Sequence, residues 1–148
     1  MPQKTSFQKM TLFENVPAAR RHLMSKVRSK NTKPELILRR HLHSLGYRYR
    51  LHQAKLPGSP DIVFGPRKAA IFVHGCFWHR HHGCPKATTP KARKEFWEAK
   101  FRANIERDAR KISELSQLGW RVMIVWECET LDLESLNPKV ASFLEAHS

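Results

Sequence analysis

The segment His74-Gly75-Cys76-Phe77-Trp78-His79-Arg80-His81-His82-Gly83-Cys84 gathers four of the nine histidines and two of the three cysteines into eleven residues. So polar a stretch has little apolar surface to bury, so it needs another means of holding one shape. Thiolates and imidazoles are the ligands that a tetrahedral zinc ion prefers. The third cysteine, Cys128, ends a β-branched run far along the chain. Cys76, His81, Cys84 and Cys128 together make a Cys3His set, a closed structural type with no open position for a substrate. Such a set would fasten a long irregular loop to a sheet. The other reading is a pair of buried cysteines beside a solvated histidine tract. Three cysteines do not make a disulfide framework, and metal ligation or burial suits a reducing compartment.

The same loop holds more histidine than zinc requires. His74 and His79 are left over and flank Phe77 and Trp78. Histidine exchanges protons near neutral pH, which suits general acid or base work. The two aromatics read equally as ordinary core or as an outward wedge between base pairs.

Charge points to the partner. The chain of 148 residues has 27 Lys and Arg against 13 Asp and Glu, a formal charge of +14 and a pI near 10.3. An excess of that size favours a polyanion, with affinity that falls steeply as salt rises. A basic surface without a function is the alternative. The length suits one domain with its own core. No stretch reaches the roughly 20 apolar residues of a membrane span. Residues 69–78, the most apolar run, are interrupted by His74. The N-terminus lacks the apolar core of a signal peptide, so the expectation is a cytosolic protein.

Along the chain there is no solenoid repeat and no low-complexity tract. Residues 1–15 read as a flexible segment and 16–148 as a single domain. A basic helix is expected over residues 17–30. A second should begin at Thr32, a good N-cap with Pro34 and Glu35 in its first turn, and end at Gly46. Leu36, Leu38, Leu42 and Leu45 form its apolar stripe. Residues 47–51 alternate like a strand, and residues 61–64 and 69–73 read as a hairpin. A long helix over 91–118 carries Phe101, Ile105, Ile112 and Leu115 as its apolar side. A strand over 121–127 and a terminal helix over 131–146 complete an α/β domain with a mixed sheet.

Asp61 opens a buried-looking strand and, with Glu35 on the preceding helix, could hold a hard divalent cation such as magnesium. An Asp after Pro at a strand start is otherwise a turn or cap residue. Many metal nucleases of this architecture carry a Glu-x-Lys pair on the next strand. Here that stretch is Ile71-Phe72-Val73-His74, so any metal chemistry must use a backbone carbonyl and histidines. On the long helix Lys100, Asn104 and Asp108 lie four apart and share a face. They read as a solvated polar face, or as groups that reach DNA and orient an imidazole.

Taken together these residues resemble the very short patch repair (Vsr) DNA mismatch endonucleases of bacteria. The matching text is Met24, Arg28-Ser29-Lys30-Asn31, Glu35, Leu56-Pro57-Gly58-Ser59-Pro60-Asp61 and Ile71 through His79. It continues with Glu95-Phe96-Trp97, Asn104 through Asp108, Leu118 through Val122 and Trp126-Glu127-Cys128. The resemblance implies a restriction-endonuclease-like fold, a central mixed sheet flanked by helices with a zinc-stapled loop. It implies Asp61 and the Val73 carbonyl as magnesium ligands, with His74 and Glu35 acting through water. His79, oriented by Asp108, would serve as base or proton shuttle. Phe77 and Trp78 would enter from the major groove, Met24 with the basic helix of Arg28 and Lys30 from the minor groove, and Lys100 and Asn104 would contact the mismatched pair. Cys76, His81, Cys84 and Cys128 would bind zinc; ligand spacing varies in the family, which keeps His82 as a second candidate.

The implied activity is nicking 5′ to the mispaired thymine of T:G mismatches that arise when 5-methylcytosine deaminates. The implied partners are mismatched duplex DNA, a cytosine-5 DNA methyltransferase and other mismatch-repair proteins, for a monomer at the bacterial nucleoid. Two other readings compete, a zinc-stapled DNA-binding module without catalysis and an ordinary restriction enzyme.

Overall fold

The computed structural model describes residues 30–146. The flexible segment expected over 1–15, all but the last residue of the basic helix expected over 17–30, Met24 and Arg28 lie outside the described residues. Lys30 is exposed in a bend.

Helix α1 spans Lys33–Ser44, and the Thr32 hydroxyl caps it by accepting from the Glu35 N–H. Leu38 and Leu42 are fully buried, each contributing about 2 kcal/mol of apolar transfer energy. Leu45, expected on the same stripe, is instead 47% exposed. It is the C-cap, past the last helical residue, and Gly46 turns the chain at φ 97. The alternating stretch that follows pairs only over Arg50–Leu51 (β1).

The expected hairpin forms from Ile62–Phe64 (β2) and Ala69–His74 (β3), with Ile62 opposite Ile71 and Phe64 opposite Ala69. Helix α2, Lys94–Gln117, then crosses to Arg121–Trp126 (β4), which lies parallel to β3 from Ala69–Arg121 to His74–Trp126. Parallel neighbours need such a crossover. The sheet order is β1-β2-β3-β4, so the sheet is mixed, as expected. A 3-10 helix over Glu127–Leu131, absent from the sequence reading, joins β4 to α3, Leu133–Glu145.

The main core packs Leu38 and Leu42 of α1 and Leu136, Val140 and Leu144 of α3 onto Ile62, Phe64, Ala69, Ile71 and Val125. Phe72 and His74 alternate to the opposite face, where Phe72 meets the α2 side of the molecule. An added Cβ at Gly58 would stand 3.0 Å from Lys111 Cβ and 3.1 Å from the Phe72 ring. Gly58 also has φ 78, so close approach and backbone sign both require glycine there.

A second cluster joins Trp97 and Phe101 of α2 to Phe77, Trp78 and Phe96. The apolar side of α2 is therefore not one continuous stripe. Ile105, expected within it, is 48% exposed. The N-terminal half of the helix carries the aromatic loop, while Leu115 is buried nearer its C-terminal end.

Candidate active site

The strand register sets Asp61 beside His52. Leu51 pairs with Ile62, so the next residue out on each strand is His52 and Asp61, and the His52 N–H donates to the Asp61 carbonyl at 3.1 Å. Because β2 starts only at Ile62, the Val73 N–H donates to the Asp61 side chain, at 2.7 Å from Oδ2.

Glu35 reaches the same place from the first turn of α1 and is 1% exposed. Its Oε1 accepts from the Asn31 N–H at 2.9 Å, and its Oε2 lies 3.1 Å from Arg39 Nη1 and 2.6 Å from His52 Nε2. Ligand atoms of Glu35, His52 and Asp61 all lie within 4.8 Å of one another. Burial pushes the Asp61 carboxyl up to about 7 against the Val73 hydrogen bond, and the Glu35 charge adds to the rise. Two carboxylates and an imidazole so placed suit a divalent cation, whose charge would offset both burial and repulsion. His52 was missed by sequence reasoning. Its only signal is positional, since it stands as far beyond β1 as Asp61 stands before β2.

At the end of β3, His74 is 5% exposed and its Nδ1 is buried without a hydrogen-bond partner, alone in this among the described residues. Its ring stacks on His79 at 3.8 Å and 10° and meets Trp126 edge-on at 5.4 Å. His79 Nδ1 lies 2.6 Å from Asp108 Oδ2, which fixes the ring from α2. Burial, then the nearby His79, drives His74 down to about 3, so it is a neutral imidazole at any working pH. Burial alone would raise Asp108, but the hydrogen bond and charge of His79, with His74 and Arg107, hold it below the usual carboxylate range. His74, His79 and Asp108 bring three ligand atoms within 4.8 Å of one another.

Cys76, His81, Cys84 and Cys128 converge in the same way, all four ligand atoms within 4.8 Å of one another. The three cysteines are free thiols. Cys76 Sγ and Cys128 Sγ lie 3.6 Å and 3.4 Å from His81 Nδ1. Bonds of about 2.3 Å to sulfur and 2.0 Å to nitrogen give a tetrahedral edge of about 3.6 Å. The donor set and its spacing fit zinc. Burial pushes the Cys76 thiol up to about 12, a cost that a bound cation reverses by stabilising thiolates. The His81 ring lies flat on Trp126 at 4.3 Å and 9°, which orients it. His82 is exposed and stands outside this group.

Between the two groups, Phe77 and Trp78 are half-buried and packed on Trp97 and Phe101. Arg80 lies 3.9 Å over the Phe101 ring and donates to the carbonyls of Phe77, Ala87 and Thr88 and to Thr89 Oγ1. Asn104 is 5% exposed; its amide nitrogen donates to the Trp78 carbonyl at 3.0 Å and its oxygen accepts from Arg107 at 3.0 Å. Asn104 and Asp108, one turn apart on α2, thus grip the consecutive residues Trp78 and His79. Lys100, one turn before Asn104, is half-buried.

Residues 14–86 match the family described as DNA mismatch endonuclease Vsr. The chain is 52% identical over 129 residues to the Type II nicking enzyme V.XorIIP of Xanthomonas oryzae pv. oryzae, covering 87% of this chain and 94% of that one. It is 44% identical over 119 residues to the DNA mismatch endonuclease Vsr of Escherichia coli, covering 80% and 76% respectively. Among solved structures, the catalytic domain of the homing endonuclease I-Bth0305I is similar with a TM-score of 0.54 at 22% identity, over 76% of this chain and 94% of that one. That likeness is one of fold, and it is the restriction-endonuclease-like fold the sequence led us to expect. Among the described residues no helix is long and apolar enough to cross a membrane.

Proposed function

The chain belongs to the Vsr family of DNA endonucleases, and from that premise we propose that it nicks one strand of duplex DNA 5′ to the mispaired thymine of a T:G mismatch. The observation that carries this reading is the Asp61 carboxylate, pinned by the Val73 N–H and set near His74, at the end of β3, which stacks on His79 of the following loop.

Asp61 and the Val73 carbonyl are the proposed magnesium ligands. The N–H and carbonyl of a strand residue point to the same side, so the Val73 carbonyl is directed to the edge where Asp61 sits. Glu35 and His74 act through water, and the unpartnered His74 Nδ1 is the atom available for it. When bound, the cation supplies charge that offsets the negative charge growing on the scissile phosphate. Donation of Nδ1–H to Asp108 leaves the Nε2 lone pair of His79 to accept a proton from the attacking water. Asp108 holds that tautomer and orients the ring.

Phe77 and Trp78 are the proposed wedge, carried on the aromatic platform of Trp97 and Phe101. Lys100 and Asn104 lie on the helix beneath it, and Met24, Arg28 and Lys30 are proposed to bind from the minor groove. Zinc at Cys76, His81, Cys84 and Cys128 is proposed as structural. The excess of positive charge supports a DNA substrate. A cytosine-5 methyltransferase, whose product deaminates to thymine, is the proposed functional partner, with other mismatch-repair proteins acting downstream. The protein is proposed to work as a monomer in the cytoplasm at the nucleoid.

The test uses purified protein, magnesium and a labelled duplex with one T:G pair in candidate methylation contexts. One nick on the thymine strand, lost in Asp61→Ala, is the expected result. Binding without cutting would identify a DNA-binding module, and cleavage of both strands of matched DNA would identify a restriction enzyme.

A further inference from the structure

We propose that His52 is a cation ligand, and that Glu35, His52 and Asp61 form one mixed oxygen and nitrogen site that takes manganese or cobalt in preference to magnesium. The inference rests on the reading of Asp61 as the metal-binding carboxylate. It adds an imidazole to that site and makes Glu35 a direct ligand, in place of the water-mediated contact described above.

Three elements bring the groups together. The β1–β2 register sets His52 across from Asp61, where the two also share a backbone hydrogen bond of 3.1 Å. Helix α1 delivers Glu35 from beneath, buried to 1% exposure. The contact between His52 Nε2 and Glu35 Oε2 is 2.6 Å. Adjacent ligands of an octahedral cation with bonds of about 2.1 Å are separated by about 3.0 Å. The pair therefore opens by only a few tenths of an ångström to replace a shared proton with an ion. Asp61 already lies within 4.8 Å of both. Arg39 Nη1 shares Glu35 Oε2 at 3.1 Å and would yield that oxygen to the ion, while the Asn31 N–H on Oε1 keeps the carboxylate in place.

The chemistry sets the preference. Carboxylates suit magnesium and manganese alike, whereas imidazole suits the borderline transition metals and gives magnesium little. His52→Gln separates ligation from hydrogen bonding, because a glutamine amide can still donate to Glu35 but offers no ring nitrogen.

The zinc-loaded full chain is titrated with Mn2+ and followed by electron paramagnetic resonance, with pulsed detection of nitrogen coupling to the ion. The parent protein is expected to show histidine nitrogen coupling that His52→Gln loses. Magnesium should displace manganese from the variant at a concentration on the order of tenfold lower than from the parent. Thermal melting verifies that the variant is folded, and His52→Asn, whose side chain tolerates the positive φ of 46, serves if it is not. Absence of coupling in the parent, or coupling and competition unchanged by the substitution, overturns the proposal. Nicking in parallel separates the two readings. Nicking abolished by Asp61→Ala with no His52 coupling sinks only this inference. Coupling through His52 with nicking indifferent to Asp61→Ala sinks the functional reading instead.

Discussion

Around Cys76 four ligand atoms lie within 4.8 Å of one another, whereas two residues earlier His74 keeps a buried Nδ1 with no hydrogen-bond partner. Both groups hang from the end of β3, and both draw on the loop between His74 and Cys84. The cysteine corner is closed, since its four donors lie within 4.8 Å of one another and the His81 ring is pinned flat on Trp126. The Asp61 and His79 edge is open. Its carboxylate is pushed up by burial, its histidines stack without saturating their nitrogens, and its partners arrive from α1, β1, β2 and α2. A closed set uses its chemistry to hold shape, while an open one keeps unsatisfied donors and acceptors that a substrate or ion can complete.

Breaking the closed corner should have the largest effect. Cys128→Ser removes a ligand from the proposed zinc site and should lower the melting temperature by about 10 °C or more, with bound zinc lost in parallel. An unchanged melt with zinc retained would remove the structural contrast between the two groups.

On the open edge the pattern should invert. Asp61→Asn keeps an acceptor for the Val73 N–H while removing the charge. Nicking should fall by about three orders of magnitude, several kcal/mol at 1.36 kcal/mol per decade, in a protein that stays folded. Its pH dependence sharpens the point. The folded value of Asp61 is about 7 and lies above the unfolded value of about 3.9, so the carboxyl favours folding while protonated. Without divalent cation, the parent should lose stability as pH rises from about 4 to 7, and the variant should lack that slope. Melts of both from pH 4 to 8 measure it.

Asp108→Asn should cost about 10²-fold in nicking, because it acts through the orientation and tautomer of His79, with a melting temperature close to the parent's. Loss of melting temperature in proportion to activity would make Asp108 a structural residue instead. The smallest effect is expected for Arg80→Met, which keeps the stem over Phe101 but removes the guanidinium contacts to the loop carbonyls. It should destabilise the protein by roughly 1–2 kcal/mol in denaturant titration with zinc content unchanged. A neutral result would leave zinc as the main restraint on that loop.

The closed corner was more legible than the open one. Cysteine and histidine are rare, their ligand chemistry is narrow, and three of the four members fall within a short segment. The choice between His81 and His82 was not legible, because adjacent loop residues differ only in where the backbone turns them. Here Arg80 at φ 56 precedes the turn that aims His81 inward. Asp61, Glu35, His79 and Asp108 were named from the sequence, chiefly through family resemblance, since lone carboxylates and histidines carry weak signals of their own. His52 was invisible, because its role follows from a strand register that pairs β1 with β2. The sequence reads Asn104 as part of a polar face or as a DNA contact, and only the structure shows its amide engaged with Trp78 and Arg107. The stripes on α1 and α2 were overextended at Leu45 and Ile105 for a related reason. Helical period says which residues share a face, but not where the partner surface ends.

By itself the sequence determined what is set by composition and local pattern. These were the order of elements, the N-cap at Thr32, the hairpin of β2 and β3, a basic chain suited to a polyanion, and a ligand set matched to zinc. Only the tertiary structure decided which distant groups meet. It paired β3 with β4 in parallel, brought Cys128 to Cys76, seated His79 against Asp108, and set His52 beside the buried Glu35 and the half-buried Asp61. Local pattern is written in spacing along the chain, whereas a site is written in register and packing, which depend on many residues at once.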